Sequence, residues 1–336
     1  MTELTAIKGI GKAIAEKLKS KNITTLEDLA VMNVEELASV LGCSWKVAKE
    51  IQGKALSKTI GDLIEVELLK ETEKRLKESV RWIPTGSKSL DSLIGGGFRT
   101  EAITLIYGRS STLKTQLANQ IIVNTVSDSK DKAVFIATEA KSFSPERIRQ
   151  IKSTVGTPNY DNILHIPART IVTPQHQYLA YLRVKKLLEE GEPIRTVVID
   201  SFTKTFRGYY QRREQLPERS RELARHFSLL DIIATKYNVG ILLTAQVMGT
   251  PTSSSEQIQA TGAPEQVRYG LKGAVPWGGP LLMHNSTIAL AVERVKGSRT
   301  GGYVWKAILK TAPDRAEGEA YFTCTEEGIR DYKGQG

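Results

Sequence analysis

Ile103-Thr104-Leu105-Ile106-Tyr107-Gly108-Arg109-Ser110-Ser111-Thr112-Leu113-Lys114-Thr115-Gln116-Leu117 is the stretch that decides the fold. An apolar run of strand length ends at Tyr107, a short polar loop follows, and a helix begins at the lysine. This is the strand-loop-helix context of a phosphate-binding P-loop. In that pattern Gly108 opens the loop, Lys114 reaches the β- and γ-phosphates, and the Thr115 hydroxyl holds Mg²⁺. The pattern also demands glycine just before the lysine, because backbone N–H groups approach the phosphates in a conformation that a β-carbon obstructs. That position is Leu113. A leucine that keeps the loop's shape is expected to hold a strained dihedral, at a cost of order 1–3 kcal/mol.

Working outward, Thr196-Val197-Val198-Ile199-Asp200-Ser201 is an apolar strand ending in an acid suited to holding Mg²⁺. Phe135-Ile136-Ala137-Thr138-Glu139 is a second such strand, whose carboxylate can orient a hydrolytic water. With Ile103–Tyr107 and Gly240–Ala245, these runs alternate with amphipathic helical stretches, which predicts an α/β core with a mainly parallel sheet covered by helices on both faces. After Ser286, the runs 287–292, 303–309 and 320–323 come without intervening helices and predict an antiparallel edge.

Upstream, residues 5–58 show apolar positions at helical spacing, with Thr25 as an N-cap, and predict a small all-α domain. Its sharpest feature is Ile7-Lys8-Gly9-Ile10-Gly11-Lys12, a glycine-flanked hairpin echoed by Val40-Leu41-Gly42-Cys43-Ser44 before Trp45. Gly9 and Gly11 let N–H groups face outward at a helix start where a nucleic-acid phosphate can sit. Lys8, Lys12, Lys17, Lys19 and Lys21 crowd around it. This resembles a tandem helix-hairpin-helix DNA-binding domain. Residues 60–81 read as a charged, exposed helix with Glu71–Arg75 and Glu73–Lys77 at i,i+4. The expected domains are therefore 1–59, a linker at 60–84, and a core at 85–336.

The 336 residues are 40% hydrophobic and 25% charged, an ordinary globular composition that argues against disorder or a rod. The excess of 47 basic over 37 acidic residues, a net charge of +10, favours a polyanionic partner. No apolar run approaches the roughly 18 residues of a membrane span, and Met1–Lys12 does not read as a signal peptide, so a cytoplasmic location with no membrane partner is expected. Cys43 and Cys324 stand alone in the sequence and are expected as small buried hydrophobes.

Taken together, the motifs resemble the archaeal RadA recombinases, strand-exchange members of the RecA superfamily, over the whole chain. Pro84-Thr85-Gly86-Ser87-Lys88-Ser89-Leu90-Asp91 with Gly95-Gly96-Gly97 looks like the family's entry to its core, and Lys114-Thr115-Gln116-Leu117-Ala118 continues in its manner. Ser144-Pro145-Glu146-Arg147-Ile148, His176-Gln177, Asp200-Ser201-Phe202-Thr203 and Thr244-Ala245-Gln246-Val247 also fit. The resemblance implies a RecA-like P-loop core that binds ATP and Mg²⁺ through Gly108, Lys114, Thr115, Gln116, Arg147 and Asp200. Thr115 and Asp200 would serve the metal, Glu139 would be catalytic, and Gln246 would sense the γ-phosphate. It places DNA-facing loops after Asp200 and Gln246. The first, 207–225, holds Arg207, Arg212, Arg213, Arg219, Arg221 and Arg225 against three glutamates. The second, 248–280, has 16 Gly, Ser, Thr or Pro in 33 residues, suited to a mobile segment, and offers Arg268 and Lys272.

Departures from the family cluster where ATP is used. Ser111 and Leu113 replace glycines, Ala137 replaces an acid, a residue near Lys141 is inserted, Thr311 replaces an aspartate and Ala316 a proline. Residues 60–81 also lack the phenylalanine of the FxxA segment by which RadA polymerises. The pattern is that of a RadA paralogue with a degenerate P-loop. It would bind single- or double-stranded DNA through its hairpins and core loops, hold ATP weakly, turn it over slowly and assist the principal recombinase. The alternative is an active DNA-dependent ATPase that forms filaments and exchanges strands.

Overall fold

The described residues of the computed structural model are 3–7, 9–21, 23–63, 67–247, 275–295 and 303–332. They fall into two units, Met1–Lys77 and Glu78–Gly336.

In the first unit the apolar spacing produces helices α1 (Lys12–Lys19), α2 (Leu26–Val31), α3 (Val34–Leu41) and α4 (Trp45–Leu63); α5 (Leu69–Ser79) begins in it and ends two residues past its boundary. Thr25 caps α2 in a capping box with Asp28, and Asn33 caps α3, so the orphan N–H groups of both helix starts are satisfied. Leu4, Ile7, Ile10, Leu18, Leu29, Leu37 and Ile51 bury one shared core. On α5, Glu71 accepts from the Leu68 N–H and Arg75 reaches Glu67 at 3.1 Å. The acid expected to pair with Arg75 one turn on instead serves the helix start, whose free donors compete for it.

In the second unit a ribbon of β1 (Trp82–Ile83) and β2 (Phe98–Arg99) precedes a nine-stranded sheet. Its strands are β3 (Ala102–Gly108), β4 (Lys132–Ala137), β5 (Ile163–Ile166), β6 (Ile194–Asp200), β7 (Gly240–Gln246), β8 (Ile288–Val295), β9 (Val304–Thr311), β10 (Gly318–Thr325) and β11 (Gly328–Asp331), in spatial order β11-β10-β9-β8-β3-β7-β6-β4-β5. The strands from β8 to β5 are parallel, and β9 to β11 close the sheet antiparallel. This is the expected α/β core with its antiparallel edge.

Helices α6 (Lys88–Ile94), α7 (Lys114–Thr125), α8 (Pro145–Gln150), α9 (Pro174–Glu189), α10 (Lys204–Tyr209), α11 (Leu216–Lys236) and α12 (Pro280–His284) complete the unit. Strand periodicity divides the core into two layers. Ile103, Leu105, Tyr107, Val197 and Ile199 join α9, α10 and α11 in one layer, while Ile106, Phe135 and Val198 join α7 in the other. Each fully buried chain of Phe or Leu size contributes roughly 1.5–3 kcal/mol. The candidate chemistry lies at the carboxyl ends of β3, β4, β6 and β7, the usual crevice of an open parallel sheet.

Two expectations change. The segment 207–225 is mostly helix, because Leu223, Phe227 and Leu230 recur at helical spacing and bury against the sheet. Cys43 and Cys324 are half-buried free thiols rather than core residues, and Cys324 faces the Arg147 guanidinium at 3.7 Å. Among the described residues, no helix is long and apolar enough to cross a membrane.

Candidate functional site

The loop from β3 to α7 is shaped by close approach. A β-carbon on Gly108 would lie 2.2 Å from the Val292 carbonyl on β8, so no larger residue fits without moving the backbone. Ser111 and Leu113 both adopt left-handed conformations, at φ 62° and 63°. The loop thus keeps the conformation that glycine would take freely, with two side chains in a region that costs an L-residue about 1–2 kcal/mol. Leu113 packs its side chain against the core layer that holds α7.

Lys114 folds its amine onto the loop, donating to the Gly108 and Arg109 carbonyls at 3.0 and 2.7 Å and to the Thr112 hydroxyl at 3.2 Å. Burial pulls its pKa down to about 8, against the opposite pull of the Asp200 and Glu139 carboxylates. Thr115 donates its hydroxyl to Asp200 Oδ2 at 2.7 Å, and Thr244 on β7 donates to Asp200 Oδ1. Asp200 is buried, and desolvation pushes its carboxyl above the usual range despite these two bonds, with the nearby Glu139 charge adding to the push. Ala137, directly across from Asp200 in the β4–β6 register, contributes no charge.

Behind the loop the strand ends are tied to one another. The Thr138 N–H donates to the Asp200 carbonyl at 2.9 Å, its hydroxyl bonds the Ser201 carbonyl at 2.8 Å, and Lys204 donates to the Thr138 carbonyl at 2.8 Å. Arg207 on α10 donates to Gln246 Oε1 at 2.7 Å and stands 3.9 Å from Glu139 Oε1. One guanidinium therefore joins the acid after β4 to the glutamine ending β7. Sequence reading offered Arg207 only as a DNA contact. Its bridging role depends on α10 bringing residue 207 under residue 246, which no local pattern encodes.

Gln116 accepts from Arg147 Nε at 2.7 Å, and the same guanidinium donates to the Thr325 and Glu326 carbonyls between β10 and β11. The structure thus brings Gln116 and Arg147 together and commits Arg147 to the carboxy-terminal hairpin. A cleft of about 440 Å³ runs beside the loop, lined by Leu113, Gln116, Arg294, Tyr303 and Trp305 among others. The last three were expected only as parts of edge strands or not at all, since they lie nearly two hundred residues downstream of the loop.

Of the candidate nucleic-acid contacts, Gly9 holds φ 112° and Gly11 is the N-cap of α1, whose Lys12, Lys17 and Lys19 are exposed; Lys8 lies outside the described residues. Arg212 and Arg213 are exposed on the short connection before α11. Arg219 is half-buried over the Trp277 ring at 4.8 Å, and Arg225 covers Tyr178 at 3.9 Å. Arg268 and Lys272 lie outside the described residues.

Comparison with known proteins gives three findings. A family model described as Rad51 matches residues 76–332. One described as a SAM-like helix-hairpin-helix tandem matches residues 1–58. The chain is also 30% identical, over 97% of its length and 94% of the relative's, to a DNA repair and recombination protein RadA of Metallosphaera sedula.

Proposed function

We propose, from the premise that this chain belongs to the Rad51 family, that it is an accessory member: a DNA-binding factor of homologous recombination and repair that holds ATP weakly and turns it over slowly. The observation that carries this reading is Leu113, left-handed at φ 63° immediately before Lys114. A branched side chain there stores strain in the turn that must present its N–H groups to phosphate.

The residues fit a magnesium nucleotide. Asp200 is a buried carboxylate that meets the Thr115 hydroxyl at 2.7 Å, and the Lys114 amine already sits among three acceptors that it could exchange for phosphate oxygens. When bound, the nucleotide would supply the energy of γ-phosphoryl hydrolysis. Thr115 and Asp200 would hold the metal, Gly108 would let the loop lie close, Gln116 and Arg147 would border the rest of the nucleotide, Glu139 would orient a water, and Gln246 would carry the state of the site to Arg207. The hairpin residues Gly9, Gly11 and Lys12, together with Arg212 and Arg213, would contact DNA phosphates. The protein partner in this reading is the principal recombinase.

The arrangement of Glu139, Arg207 and Gln246 supports a second reading, an active DNA-dependent ATPase that forms filaments. Titration of a fluorescent ATP analogue with Mg²⁺ separates the two. The accessory reading expects Leu113→Gly to bind about tenfold more tightly than the native chain. Equal, tight affinities in both would favour the motor. DNA affinity should fall steeply with salt in either case, because phosphate contacts release counterions, and indifference to salt would remove the DNA role.

A further inference from the structure

The helical unit contains two hairpins of matching design that end differently. In the first, Gly9 takes φ 112°, Gly11 accepts the first helical bond from the Ala15 N–H, and Lys12 opens α1. In the second, Gly42 takes φ 67°, Ser44 accepts from the Ala48 N–H, and Trp45 opens α4. Three residues after its left-handed glycine, one hairpin presents an ammonium and the other an indole. Trp45 would extend the buried stripe of Ala48, Ile51 and Ala55 by one turn, yet 51% of its surface is exposed. Lys49 lies over its ring at 4.7 Å, and Lys46 is exposed beside it.

We infer, resting on the DNA-binding reading above, that the second hairpin is a base-stacking site: Trp45 takes the face of an unpaired nucleobase of single-stranded DNA while Lys46 and Lys49 meet the adjoining phosphates. A large aromatic face held half in water among cations matches the chemistry of a single strand, which offers both an open π-face and a negative backbone. A duplex away from its ends offers no open π-face, because its bases are already stacked. The placement also suits one continuous strand. Gly9 packs toward Ile51 of α4, so the first hairpin meets α4 six residues along from Trp45, about 9 Å by helical rise. Phosphates held at the first hairpin therefore leave neighbouring bases within reach of the indole.

The test uses the full chain with a fluorescent single-stranded oligonucleotide and a blunt duplex of equal length. Trp45→Ala should weaken single-strand binding about 5- to 150-fold and leave duplex binding and the salt slope unchanged, while Trp45→Phe retains most of the affinity. Oligonucleotides carrying 5-iodouracil should crosslink at Trp45 on irradiation, read by mass spectrometry of the adduct peptide. If Trp45→Ala binds the single strand like the native chain, or loses single strand and duplex alike, the stacking role is wrong while the DNA reading stands. If the native chain binds neither DNA at low salt, the DNA reading itself fails.

Discussion

Between β3 and α7, Ser111 and Leu113 hold backbone angles suited to glycine, and the Lys114 amine is satisfied by the loop's own oxygens. At the neighbouring strand ends, Thr115 and Thr244 bond the Asp200 carboxylate, Thr138 ties the end of β4 to Ser201, and Arg207 joins Gln246 to Glu139. Set side by side, the two regions show a loop that carries backbone strain at two residues beside strand ends joined by polar contacts. The loop's strain is conformational and rests on two side chains, Ser111 and Leu113, so a glycine at either position relieves part of it. The strand-end contacts are a network, in which losing a member strands its partners.

The largest effect should come from the lysine amine that folds onto the loop. Lys114→Ala removes it, and nucleotide affinity by calorimetry should fall on the order of 100-fold; an unchanged affinity would mean that nucleotide binds elsewhere. Thr115→Val tests the strand-end contacts instead. It leaves the buried Asp200 carboxylate short of a donor and should cost about 1–3 kcal/mol of stability in thermal unfolding. Arg207→Ala should spare basal nucleotide affinity but remove about tenfold of the effect of DNA on nucleotide affinity, because it uncouples Gln246 from Glu139.

The smallest effect is a pH dependence. Burial lowers Lys114 to about 8, so the charged form that attracts phosphate is complete below that value and is lost as pH rises through it. Nucleotide affinity should therefore drop several-fold between pH 7 and 9, with proton uptake on binding, and Lys114→Arg should flatten the profile. A flat profile in the native chain would show that the loop does not hold the lysine as described.

Much of this was legible in the sequence because the central parallel strands are largely apolar runs, with Asp200 ending β6 and Glu139 just past β4, and because glycines mark both hairpins. Leu113 was legible for a stronger reason: the loop's geometry dictates a left-handed angle whatever residue stands there. The edge strand β5 escaped notice because its residues are only half-buried and its His165 is exposed. Part of the loop anticipated at 207–225 became α11 because Arg221 and Arg225 occupy the exposed face of a helix whose apolar face packs on the sheet. Arg147 and Arg207 show the limit most clearly, since their partners at 325–326 and 246 are adjacent only once the sheet has formed.

The most direct measurement is steady-state ATP hydrolysis with and without single-stranded DNA, run on the native chain and on Leu113→Gly together. A strained loop beside these joined strand ends predicts slow turnover with little response to DNA in the native chain, and at least a tenfold rise with DNA stimulation in the variant. Brisk, DNA-stimulated hydrolysis by the native chain, unimproved by the glycine, would contradict it.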